Sequence, residues 1–267
     1  MSELKIIVCI KKIPDPEAPP KAVSIDSEAK RVTFTGVAPM INPFDENALE
    51  AAIRLKEANG GYITVLSLGE KKSKQVLSKA FAVGIDKLIL INDANLKDLD
   101  SYSRAYVLSK AIERIGKYDI IFTGRQAGDW DSGQTGLLLA EFLQIPSINL
   151  VRSVEVEDGE LIVKKVKPDG YEVAKTKIPA LITASNEIGE LRYVSVKQLI
   201  EARKEPVDIW NDDDLGLDQQ KLRRLGIVDL YKPEIEKECY FVEGESPQEK
   251  GENLAILLVE KDSVISA

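Results

Sequence analysis

Gly124, Arg125, Gln126, Ala127, Gly128, Asp129, Trp130, Asp131, Ser132, Gly133, Gln134, Thr135 and Gly136 form one uninterrupted stretch with four glycines in thirteen positions. Glycine lets the backbone take positive φ and approach a ligand closely, and a following helix offers unpaired N–H groups and a favourable dipole to an anion. Phosphate is the anion such a loop suits, and the N–H groups of residues 132–136 are the expected contacts. The spacing matches neither the dinucleotide fingerprint nor the P-loop. Each side chain has two readings. Arg125 can pair with phosphate or stay solvated, and Trp130 can cover an adenine or flavin ring or anchor the loop. Asp129 and Asp131 can accept backbone N–H bonds or hold ribose hydroxyls. A second candidate is Asn42, Pro43, Phe44 and Asp45. Read locally, it is a helix start, with Asn42 as N-cap and Pro43 at the first helical position. Placed at the carboxyl edge of a sheet, the same residues would meet a ligand.

Histidine is absent from the 267 residues and only Cys9 and Cys239 are present. A Ser-His-Asp triad, a Cys-His pair and a His- or Cys-rich zinc site are therefore impossible within the chain, and neither a catalytic residue nor a metal ligand is assigned. Far apart in sequence, the two cysteines read as buried free thiols. A net charge of −8 argues against a broad nucleic-acid or anionic-membrane surface, both of which need a positive face. The opening residues run into a strand pattern with too short an apolar run for a signal peptide, and no segment approaches a membrane span. A reducing, cytoplasmic location is expected.

The elements that must position these residues follow an α/β pattern. Apolar runs at residues 4–10, 62–68, 87–91, 118–123 and 147–150 read as buried strands. Between them, Leu49, Ala52 and Ile53 share a helix face, as do Val76, Leu77, Ala80 and Phe81 ahead of Gly84. Ala105, Leu108, Ile112 and Ile115 mark a third helix, capped by Asp100 or Ser101. After the first strand, prolines at 14, 16, 19 and 20 mark a surface insertion, and residues 22–25 and 31–34 a small hairpin. Beyond residue 150 the pattern alternates at 153–157, 161–166 and 171–174, an antiparallel extension; 179–184 is another buried strand and 196–203 a helix. The expectation is a doubly wound, mostly parallel Rossmann-like domain over residues 1–204. Residues 205–267 read as an acidic, irregular arm ending in an amphipathic helix near 246–259.

Several of these segments together resemble the β subunit of electron-transfer flavoproteins. The resemblance rests on the strand running into Cys9, Ile10, Lys11, Lys12, Ile13, Pro14 and Asp15, on residues 42–57, on residues 124–136, and on 187–193 with the basic helix after it. It covers about residues 1–217. It implies an adenine nucleotide α-hydrolase-like fold and a heterodimer with an α subunit that binds the redox FAD. It also implies AMP, or in electron-bifurcating members a second FAD, held by Cys9, residues 42–45, Leu68 and residues 124–135. By the same likeness, Glu187, Ile188, Gly189, Glu190 and Leu191 form a partner-recognition loop, with Ile188 as the apolar anchor for an acyl-CoA dehydrogenase or similar redox partner. The C-terminal arm would wrap the α subunit.

Pro16 stands where classical AMP-bearing members have an aromatic, which is closer to the bifurcating branches; residues 129–135 differ from both versions of the loop. The implied function is a shuttle carrying electrons from dehydrogenases to a downstream acceptor, with an NADH-oxidising bifurcating subunit as the alternative. Flavin would supply the redox chemistry, which fits a chain without histidine. An adenylating enzyme of the same broad fold would need a pyrophosphate-gripping loop where Lys11–Asp15 stands. A stand-alone ATP- or AMP-binding stress-type protein would need no partner.

Overall fold

A computed structural model describes residues 3–232 and 239–265. The chain clusters into two compact units, Met1–Leu230 and Tyr231–Ala267, a later division than the boundary after residue 204 expected from composition.

In the first unit, β1 (Leu4–Cys9), β6 (Gly61–Leu68), β7 (Lys87–Ile91), β8 (Ile120–Gly124) and β12 (Ala180–Ala184) form the parallel centre of a nine-stranded sheet. The full order is β11-β10-β9-β12-β8-β1-β6-β7-β13. Here β9 is Ser147–Glu157, β10 Glu160–Lys167, β11 Gly170–Lys177 and β13 Asp208–Trp210. Two small ribbons stand outside it: β2 (Lys12–Pro14) with β5 (Pro39–Ile41), and β3 (Val23–Asp26) with β4 (Arg31–Phe34). The expected doubly wound α/β arrangement with an antiparallel extension is present.

Strand β1 shows why the centre is buried on both faces. Ile6 and Val8 belong to one apolar cluster and Ile7 and Cys9 to the other, the period-two alternation of a strand with helices on each side. Helix α1 (Pro43–Asn59) packs across β1, β8 and β12 on the first face. On the second face α4 (Ser101–Ile115) and α5 (Thr135–Leu143) pack together beside Leu66, Ile89 and Ile121. Asp100 caps α4 by accepting from the Ser103 N–H at 2.7 Å, and Gly84 ends α3 (Lys79–Val83) in the left-handed region at φ 115°; α2 (Lys74–Leu77) precedes it. Both endings were readable from residue type.

The segments expected at 147–150 and 153–157 are one strand, β9. Leu150 at φ 55° and a register shift opposite Lys164 and Lys165 bend it from parallel pairing with β12 to antiparallel pairing with β10. Short β13 adds an edge to β7, and after α6 (Val196–Ala202) and α7 (Asp212–Leu215) the side chains of Leu215 and Leu222 are buried in the second cluster. In the second unit, α8 (Pro247–Ile265) starts at Ser246, whose hydroxyl accepts from the Glu249 N–H at 3.1 Å. Its Ile256, Leu258 and Val259 are exposed. Cys9 is buried and Cys239 exposed, which corrects the reading of two buried thiols. Among the described residues no helix is long and apolar enough to cross a membrane.

Candidate nucleotide site

The chain runs from β1 through α1 to β6 and β7 on one side, then returns by α4 to β8 on the other side of β1. That reversal opens a crevice at the carboxyl ends of β1 and β8, the place where doubly wound sheets take ligands. Cys9 ends β1, Gly124 ends β8, and Leu68 ends β6 on the opposite flank of β1.

The first turn of α1 ties the two strand ends together. The Asp45 carboxylate accepts from the Lys11 N–H at 2.7 Å with one oxygen and from the Gly124 N–H at 3.0 Å with the other. Asn42 stands at the N-cap position with Pro43 after it, but its side chain does not cap the helix. Instead its amide donates to the Gln126 carbonyl at 2.8 Å and accepts from the Gly128 N–H at 3.1 Å. The local helix-start reading is thus right for the backbone and wrong for the Asn42 side chain, because a buried amide can satisfy both its ends only across the gap to the loop.

Glycine is required where the elements touch. A Cβ on Gly124 would lie 2.5 Å from Asp45 Oδ1 and 2.7 Å from the Phe44 carbonyl carbon. One on Gly136 would lie 2.6 Å from Thr123 Oγ1 and 3.1 Å from Thr183 Cγ2, so α5 can approach β8 and β12 only without a side chain there.

The loop between them is partly folded on itself. Asp129 pairs with Lys11 Nζ at 2.6 Å, and Asp131, at φ 48°, accepts from Gln126 Nε2 at 2.8 Å. Ser132 shares a 3.0 Å hydroxyl contact with Ser101 at the start of α4. The Arg125 guanidinium lies 4.6 Å from the centre of the Phe44 ring, and its Nε is buried without an acceptor. Trp130 is 57 % exposed at the tip. Lys11 and Ser101 were not among the expected site residues; only the position of Lys11 just past a buried strand signalled it.

Backbone N–H groups of residues 132–137 have no hydrogen-bond acceptor among the described residues. Gln134 precedes α5 without a side-chain cap. Six adjacent donors at a helix N-terminus and an orphaned guanidinium nitrogen fit a phosphate group.

Burial dominates the electrostatics. It pushes the Asp45 carboxyl up to about 7, against the two N–H donors and Asn42, which hold it lower. Cys9 is pushed upward by burial and by Asp45, so its thiol stays protonated and unreactive. Lys11 is lowered by burial, with Asp129 opposing.

The loop at 186–192 leaves the sheet after β12 and lies along α1. Arg54 Nη1 donates to the Ile188 carbonyl at 2.9 Å and Asn47 to the Gly189 carbonyl at 2.6 Å. Arg192 binds Glu50 through its backbone N–H at 3.0 Å and its guanidinium at 3.1 Å, and also pairs with Glu57. Ile188 is 5 % exposed and packs into the core, so the expected apolar anchor is turned inward. Glu187 and Glu190 face solvent, Gly189 and Leu191 are half-buried, and the large exposed apolar groups nearby are Tyr193, Val196 and Ile200.

Fold and site together define a doubly wound α/β protein with a glycine-rich loop of open N–H donors at its strand-order reversal. The family model described as "Electron transfer flavoprotein domain" matches residues 31–215. The chain is 43% identical over 220 residues to "Electron transfer flavoprotein subunit beta" of Thermoanaerobacterium thermosaccharolyticum, covering 82% of this chain and 83% of that one. It is 34% identical to "Caffeyl-CoA reductase-Etf complex subunit CarD" of Acetobacterium woodii, over 80% of each chain. With "Protein FixA" of Azorhizobium caulinodans it shares 31% over 80% of this chain and 78% of that one. The chain belongs to the electron transfer flavoprotein family, among its β subunits.

Proposed function

We propose that this chain holds an adenine nucleotide, AMP or FAD, in the crevice between β1 and β8 and docks to an α subunit that carries the redox FAD. The heterodimer takes electrons from dehydrogenases, such as acyl-CoA dehydrogenases, and passes them to a downstream acceptor in the cytoplasm. The observation that carries the reading is the run of unpaired, mostly exposed N–H groups at 132–137 at the start of α5, which an anion can engage. When bound, flavin supplies the one- and two-electron chemistry.

This chain's residues do the positioning. Residues 132–137 take the phosphate; Asn42 and Asp45 fix the loop and strand ends that frame it. Arg125 on Phe44 and the exposed Trp130 offer flat faces to a ring. The buried thiol of Cys9 packs beneath and takes no part in electron transfer. The second unit, Tyr231–Ala267, serves as the arm that wraps the α subunit, while residues 205–230 of the expected arm belong to the first unit; the face around residues 187–191, with Tyr193, Val196 and Ile200, meets the dehydrogenase.

Heating the purified heterodimer and weighing the released nucleotides tests this. One flavin per dimer with one AMP supports the shuttle, two flavins support the bifurcating form, and release of no adenine nucleotide overturns the proposal.

A further inference from the structure

Three cations flank the crevice. Lys11 is neutralised by Asp129 at 2.6 Å, and Arg125 lies against the Phe44 ring with its Nε unpaired. Arg104, on α4, approaches from the opposite wall. Its Nε donates to the Leu99 carbonyl at 2.8 Å, and no other hydrogen bond or ion pair engages its guanidinium among the described residues.

Acids are close enough to stabilise its charge, yet each is committed elsewhere: Asp129 to Lys11, Asp98 to Arg31 at 2.5 Å, and Asp100 to the N–H groups of Ser103 and Leu225 at 2.7 Å each. Arg104 is therefore a half-buried guanidinium whose unused donors reach solvent and can meet a ligand. Burial lowers its pKa, but an arginine remains charged at neutral pH.

Its place in the helix gives the charge a direction. Ser101, one turn earlier on the same face, touches Ser132 of the glycine loop at 3.0 Å. Helical side chains lean toward the N-terminus, and the bond to Leu99 shows that Arg104 does so. Its head group thus lies at the α4 wall of the crevice, within electrostatic reach of Lys11 and Asp129 and beside the segment with the open N–H groups.

We infer that Arg104 is a binding residue for the phosphate of the crevice nucleotide, its planar fork adding charge and direction to the neutral N–H groups of residues 132–137. The inference rests on the nucleotide reading above. Arginine suits the task because its paired donors match two phosphate oxygens, which a lysine cannot reproduce.

The test uses the full chain stripped of nucleotide and titrated with AMP, FAD and adenosine, alongside Arg104→Gln and Arg104→Lys. Arg104→Gln is expected to weaken AMP or FAD by about ten- to hundredfold while adenosine changes less than about twofold. Its binding should also depend less steeply on salt, and Arg104→Lys should recover part of the loss. Comparing AMP with FAD in the parent chain tells a terminal phosphate from a bridging diphosphate. An unchanged affinity for the phosphate-bearing ligands, or an equal loss for adenosine, overturns the role of Arg104 and leaves the nucleotide reading standing. Failure of the parent chain to bind any of the three overturns both.

Discussion

Two loops leave neighbouring parallel strands at the same edge of the sheet, and they are built in opposite ways. Among the described residues, the loop after β8 keeps the N–H groups of residues 132–137 without acceptors and is bounded by Gly124 and Gly136, where neighbouring elements touch too closely for a side chain. The loop after β12 has its carbonyls at Ile188 and Gly189 taken by Arg54 and Asn47, its Arg192 clamped between Glu50 and Glu57, and its one large aliphatic anchor turned inward. One is a cradle with open donors and the other a strut with closed ones.

Helix α1 serves both. Asn42 and Asp45 at its start hold the cradle, and the stripe Asn47, Glu50, Arg54 and Glu57 along its length holds the strut. Those four residues follow the i, i+3, i+4 spacing that places side chains on one helical face. On the proposed function, the open backbone takes the ligand, whereas the satisfied one is a scaffold for whatever surrounds it.

The sharpest way to break the comparison is to disturb Asp45, which closes the cradle side. Its folded-state pKa of about 7 lies above the ordinary 3.8. The folded chain therefore holds this proton to higher pH than the unfolded chain does. The associated stability is complete below pH 4 and is lost as pH rises through about 7. The shift corresponds to about 4 kcal/mol across that window. Urea denaturation at pH 4.5 and at pH 7.5 should show a decline that Asp45→Asn flattens. An identical slope in the variant would remove Asp45 as its source. Glu50, held low by Arg192 and Arg54 against its own burial, has the opposite sign: its contribution is complete above pH 4.5 and is lost as pH falls below that, whereas that of Asp45 is lost as pH rises.

Gly136→Val comes next. Its Cβ would meet Thr123 Oγ1 at 2.6 Å, and Thr123 and Thr183 belong to strands that cannot retreat, so α5 must move. A cost of about 3 kcal/mol is expected, the upper range for overpacking, with loss of nucleotide from the purified heterodimer. Retained nucleotide at full occupancy would mean that the start of α5 does not hold the phosphate.

The central strands were legible because fully buried parallel strands leave uninterrupted apolar runs, as at residues 87–91. The glycine loop was legible from composition and the Asp100 cap from residue type. Other features leave no local signal. Strand β13 is three residues long, and its partner, β7, lies more than a hundred positions earlier. Asn42 looked like a cap because its neighbours are those of a cap, while its partners, Gln126 and Gly128, are 84 and 86 residues away. Arg104 is an ordinary cation on an amphipathic helix until the commitments of Asp98, Asp100 and Asp129 are known. Residue type announces what a side chain can do, and only the fold shows what has been left undone.

The smallest expected change in stability sharpens the strut's side. Ile188 and Tyr193 flank the clamp at Arg192, but Ile188 is 5 % exposed and Tyr193 is 89 % exposed. Ile188→Ala should cost about 2 kcal/mol by leaving a cavity in the core, and any effect on a redox partner would then come through the fold. Tyr193→Ala should stay within about 0.5 kcal/mol of the parent chain, since nothing packs over the ring. If the strut presents a docking face, Tyr193→Ala slows reduction by the dehydrogenase several-fold at low enzyme concentration while the thermal midpoint stays fixed. Equal slowing in Ile188→Ala, after correction for its lower stability, would return the anchor to Ile188 and require the loop to turn over on binding. Unchanged kinetics in both variants would place the dehydrogenase on another surface, leaving the Glu50–Arg192 clamp as a purely internal brace.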